Sequence, residues 1–116
     1  MNHTLMLSLA VLGMTSCATV QIPPDRLESS EASIRGAEEL GASGVPAARL
    51  HVQLAKDQTA QAKQMAADGD DRAGLVLARA EADAELALGL AREVAVHGEA
   101  TRAAEDLKAV RARTTP

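Results

Sequence analysis

Phenylalanine, tyrosine and tryptophan are missing from all 116 residues. Without an aromatic ring the chain has no stacking platform for bases or sugars, and no large anchor for a thick core. Cysteine occurs once, at position 17, which excludes an intramolecular disulfide. Basic residues are in the minority: 12 Lys and Arg stand against 16 Asp and Glu, a formal net charge of −4. Nucleic acids and anionic lipid surfaces both require a basic patch, so that balance argues against either. The longest apolar run, Leu5–Met14, is half the roughly twenty residues that a membrane-spanning helix needs. Alternating β-branched runs are absent too, which leaves no strand pattern.

What the amino-terminal run does fit is the apolar stretch of a secretory signal peptide, commonly 7–15 residues. The four residues before it carry no Lys or Arg. After it comes Met14-Thr15-Ser16-Cys17. This tetrad resembles the lipobox of bacterial lipoproteins, with Met14 at the aliphatic position and Thr15 and Ser16 at the small ones. The resemblance implies cleavage between Ser16 and Cys17, and a covalent lipid on Cys17. In that family an aspartate after the cysteine favours the inner membrane; here Ala18 stands there, so the expected address is the periplasmic face of the outer membrane. Two or more acyl chains anchor stably where one does not, each buried CH₂ contributing about 0.8 kcal/mol. The competing reading is an ordinary signal peptide with an incidental cysteine.

The remaining composition is that of a helix-former. Alanine, leucine, glutamate, arginine, glutamine and lysine dominate from Asp25 onward. The expected fold class is all-α: an antiparallel helical hairpin or three-helix, coiled-coil-like bundle with a long C-terminal helix. The expected organisation is a leader over 1–16, the lipidated cysteine and a linker over 17–24, a helical domain over 25–112, and a disordered tail over 113–116. Within the domain, helices are expected over about 25–41, 46–67 and 70–112. Asp25, with Glu28 three residues on, is the expected cap of the first helix, whose face holds Leu27, Ser30, Ile34, Ala37 and Gly41, with Leu40 beside it. Gly41–Pro46 is a turn ending in a helix-initiating proline. The second helix shows a stripe of Leu50, Leu54, Gln58, Ala62 and Met65, widened by Ala47, Ala55 and Ala66, in which the polar Gln58 is either a register device or the edge of the stripe. Asp68-Gly69-Asp70-Asp71 breaks it and forces a hairpin.

The third helix carries the clearest periodicity. Ala73, Leu77, Ala80, Ala84, Ala87, Ala91 and Val94 alternate at 4-3 spacing, three heptads of a mostly alanine seam. Leu75, Leu86 and Leu90 lie off it and form a candidate interaction flank. Near His97-Gly98 the stripe changes phase to Val96, Ala100, Ala103, Leu107 and Val110. Either a bend at Gly98 or one long helix whose stripe moves round the cylinder accounts for this, and the part beyond the shorter second helix folds back, overhangs or frays. The overhang is preferred.

Reactive chemistry is not indicated. His51 and His97 fall on separate helices, and Glu93 with His97 supplies two ligands where zinc needs at least three. Glu81, Asp83 and Glu85 alternate around the helix and read as solubility groups. Arg79 with Asp83 and Arg102 with Asp106 read as ordinary i,i+4 pairs. No serine sits in a nucleophile motif. No catalytic residue, metal site, cofactor, small-molecule substrate or nucleic-acid partner is therefore expected.

From about residue 32 to 104 the chain resembles a family of alanine-rich helical lipoprotein domains of Gram-negative bacteria. The resemblance is carried by the Pro46-led helix, the Gly69-Asp70 break and the Ala-Arg-Ala-Glu-Ala-Asp-Ala run over 78–84. Some members join this domain to an OmpA-like peptidoglycan-binding domain. It implies an envelope setting and hands over no catalytic residues. The expected function is thus structural or interactive, through the membrane anchor, self-association, or an OmpA-like or other envelope partner. The alternative is a soluble exported helical binding module.

Overall fold

The computed structural model describes residues 20–114. Three helices follow one another: α1 over Pro24–Glu39, α2 over Pro46–Ala67 and α3 over Ala73–Thr114. A single 3₁₀ turn, Ala42–Gly44, lies between the first two. No strand occurs among the described residues. The fold is all-α, three helices packed on one another with a long C-terminal helix. Contacts from Arg26 to Glu81 and from Gly36 to Leu88 run α1 parallel to α3. Those from Lys56 to Glu38 and from Lys63 to Glu31 run α2 antiparallel to α1.

The helix ends follow from local chemistry. α1 begins at Pro24, one residue before the expected aspartate cap, and Pro23 occupies the cap position without any side-chain hydrogen bond. Proline at the first helical position has its φ preset and no N–H to satisfy. Asp25 falls instead in the first turn, where its charge complements the helix dipole. The helix closes on Gly41, at φ 83°, whose N–H donates to the Glu38 carbonyl. α2 ends in the same way at Gly69, φ 76°. There the Gly69 N–H reaches Ala66 O at 3.1 Å and the Asp70 N–H reaches Met65 O at 2.8 Å, a complete Schellman motif. α3 starts at Ala73, three residues later than expected, because Asp70 is spent on the turn. Its carboxylate accepts from the Arg72 backbone N–H at 3.0 Å. At the other end α3 continues to Thr114, two residues into the expected tail.

The core is built from alanine. On α3, Ala73, Leu77, Ala80, Ala84, Ala87 and Ala91 are fully buried, while Val94 is exposed, so the seam ends at Ala91. α1 contributes Ser30, Ile34 and Ala37, with Leu27 half-buried and Leu40 exposed. On α2 the buried face is Ala48, Val52, Ala55, Thr59 and Ala62. This corrects the leucine stripe: of its members and the alanines widening it, only Ala55 and Ala62 are buried, and Leu50 is 57% exposed. The true stripe has the 4-3 rhythm of the α3 seam but small side chains, which give a weak hydrophobic signal. Small residues let helices approach towards the short end of the usual 8–10 Å range, and leucines in those layers would hold them apart. Gly36 marks one such approach: a Cβ there would lie 3.2 Å from Leu88 Cδ1.

α3 outruns its partners. At about 1.5 Å per residue its 42 residues span about 63 Å, against about 33 Å for the 22 of α2. It passes His97-Gly98 as one unbroken helix, and every residue from Glu99 to Thr114 is exposed.

Candidate interaction surface

Polar clamps flank the alanine seam on both sides. Towards α1, the Arg26 guanidinium grips the Glu81 carboxylate with both ends of its fork, the Nε–Oε1 contact being 2.9 Å. Towards α2, Asp83 Oδ1 lies 2.6 Å from His51 Nδ1, and its Oδ2 accepts from Gln58 Nε2 at 2.9 Å. All three of these side chains are half-buried. Glu81 and Asp83 are therefore interhelix ties, not solubility groups. They sit two residues apart and so straddle the seam, one beside each neighbouring helix. Asp83 turns to α2 and not to Arg79. Gln58, the polar member of the expected α2 stripe, ties α2 to α3 through this bond.

Between α1 and α2, two exposed pairs bridge the edge, Lys56 with Glu38 at 2.5 Å and Lys63 with Glu31 at 2.8 Å. They border an open groove of about 340 Å³ floored by Ile34 and Thr59. The hydrogen bond from Lys63, and then its charge, hold the Glu31 carboxyl below its ordinary value. In the α2–α3 turn the Arg72 side chain and then its backbone N–H bring Asp70 down to about 2. Glu81 in turn raises the Arg26 pKa, by hydrogen bonding first and by charge second. Ser30 Oγ, Thr59 Oγ1 and Gln58 Oε1 are buried without a hydrogen-bond partner.

The candidate flank divides. Leu75 and Leu86 are 68% and 47% exposed on the side of α3 turned away from the bundle. Leu90 is half-buried and packs against the core cluster that contains Ala48 and Val52. Beyond the bundle, Val94, Val96, Leu107 and Val110 are all more than half exposed. These are the largest apolar groups that α3 offers to solvent, together with Leu75 and Leu86. Ser16 and Cys17 lie outside the described residues.

His97 Nε2 lies 3.9 Å from Glu93 Oε1 on the exposed overhang. Among the described residues no three His, Cys, Asp or Glu side chains converge on one point. No described helix is long and apolar enough to cross a membrane. What the arrangement offers is surface: a rigid bundle that presents one long helix with an uncovered apolar side. No family model, curated protein or solved structure matches the chain.

Proposed function

We propose that this is a lipid-anchored protein of the bacterial cell envelope, held at the periplasmic face of the outer membrane through Cys17. Its role is structural or protein-binding, without catalysis. The observation that carries the address is the lone cysteine, which follows Met14-Thr15-Ser16 directly after a short apolar run. Lipid on Cys17 supplies the membrane affinity, and the stretch from Ala18 to the Pro23-Pro24 pair spaces the bundle from the leaflet. The bundle then displays the outer side of α3 to self-association or to an OmpA-like or other envelope partner. Such a role suits a surface that keeps four large apolar residues of the overhang uncovered.

The groove between α1 and α2 favours one second reading, a soluble exported module that holds a small ligand there after ordinary signal-peptide cleavage. Globomycin, which blocks the lipoprotein signal peptidase, separates the two. Under the first reading, treated cells accumulate a precursor longer by the leader, and the untreated protein partitions into detergent. Unchanged processing and partition into the aqueous phase would overturn the anchor and leave the exported module.

A further inference from the structure

The exposed residues on the outside of α3 form one line. Starting from Leu75 and stepping alternately by four and three residues leads through Leu86 and Val96 to Val110, and all eleven positions are exposed. The overhang stripe and the outer leucines of the bundle are thus parts of a single heptad seam, on the opposite side of the helix from the buried alanine seam. Only Arg79 and Glu93 interrupt it with charge; the rest are leucine, valine, alanine or glycine. Its drift around the cylinder is that of a left-handed coiled coil.

We infer that this outer seam pairs with the same seam of a second copy, the two α3 helices running antiparallel. The inference rests on the interaction reading proposed above and is independent of the lipid anchor. Three observations select the occupant and its direction. First, area: the overhang alone, about 27 Å long and about 10 Å wide, gives about 540 Å² over both partners, too small for a stable interface. The whole seam, about 54 Å long, gives about 1,100 Å² and clears the threshold of about 1,000 Å². A solitary helical overhang therefore finds enough surface only by lying along the bundle of its partner.

Second, charge. A parallel, in-register pair sets Arg79 against Arg79 and Glu93 against Glu93 within the seam. Antiparallel pairing about a dyad between Val94 and Ala95 sets the two Arg79 far apart, offsets the two Glu93 into adjacent layers about 4.5 Å apart along the axis, and faces Arg92 of each copy with Glu99 of the other. A like-charged rim contact also remains, between Glu85 and the second copy's Asp106, with Arg79 less than two turns along the helix. Third, size: the same register sets Leu86 over the second copy's Ala103, Leu107 over its Ala82, and Gly89 beside its Ala100. Leucine meets alanine at the Leu86 and Leu107 layers, and a Cβ on Gly89 would meet nothing within 4 Å in the single chain. Like-sized residues meet in the parallel pair.

Cysteine crosslinking in cells that export the full-length chain tests the pairing. Two differently tagged copies are co-expressed, one carrying Leu86→Cys and the other Ala103→Cys, with the wild-type chain controlling for Cys17. Adjacent seam positions bring Cα atoms within the 4.4–6.8 Å that a disulfide accepts. The expected result is a mixed-tag dimer on a non-reducing gel and no crosslink between two Leu86→Cys copies. Adding Leu86→Glu to copies bearing the neighbouring pair Ala82→Cys and Leu107→Cys should cut the crosslink at least tenfold, while far-ultraviolet circular dichroism stays unchanged. Dimers between Leu86→Cys copies would overturn the antiparallel direction. Monomers in every combination would overturn self-pairing, and a crosslink to a different protein would do so while sustaining the interaction reading.

Discussion

At the scale of single residues, the bundle depends on a few polar ties set at the margins of an apolar seam. Asp83 is the most consequential, because it satisfies His51 and Gln58 together in a half-buried position. Asp83→Ala strands both partners at once and should cost about 1–3 kcal/mol, read as a lowered urea midpoint at unchanged slope. Carboxylates also set the acid response. Glu31, lowered from 4.5, contributes stability that is fully present above about that pH and is lost on acidification. Asp70, lowered from 3.8 to about 2, contributes above 3.8 and loses its contribution as the pH falls through that interval. The urea midpoint should therefore hold from neutrality to about pH 5 and decline below it. Asp70→Asn should flatten the most acidic part, and a midpoint that rose on acidification would contradict the sign. These ties were only half legible in the sequence. Gln58 stood out as polar within an apolar region, but its acceptor comes from another helix, and no spacing within α2 names it.

At the scale of elements, glycine and proline announced the boundaries well. Pro46 opens α2, and Gly41 and Gly69 close α1 and α2 in the left-handed conformation. The alanine seam of α3 was equally plain as far as Ala91, whereas its overhang was only preferred over a bend at Gly98. The α2 face was centred wrongly, on leucines and not on Ala55 and Ala62, because leucine is the stronger hydrophobic signal and Leu50 and Leu54 repeat at helical spacing. Alanine wins those buried layers by admitting a closer helix, a property that hydropathy does not register. Two glycines with opposite roles give a test. Gly69→Ala forces a side chain into the left-handed region and should destabilise by about 1 kcal/mol. In Gly98→Ala, on the other hand, the new methyl meets nothing within 4 Å in mid-helix. It should firm the overhang by about 1 kcal/mol, seen as about fivefold slower amide exchange there.

At the scale of the whole molecule, a core of alanines leaves little in reserve. Among the described residues Leu77 is the largest side chain buried completely, and it ties α3 to Ala62 and the half-buried Leu27. Leu77→Ala should cost about 2–5 kcal/mol, a large share of the 5–15 kcal/mol typical of a domain, and should lower the melting temperature by at least about 8 °C. A thin core is compatible with the proposed role, in which a displayed helix held at a membrane does the work. The anchor is the claim on which that picture turns. Feeding cells an alkyne fatty acid and comparing the wild type with Cys17→Ala in separated membranes measures it directly. Label that follows the outer membrane in the wild type and vanishes in Cys17→Ala is the predicted result. Unlabelled protein, soluble in the periplasm for both forms, would contradict it.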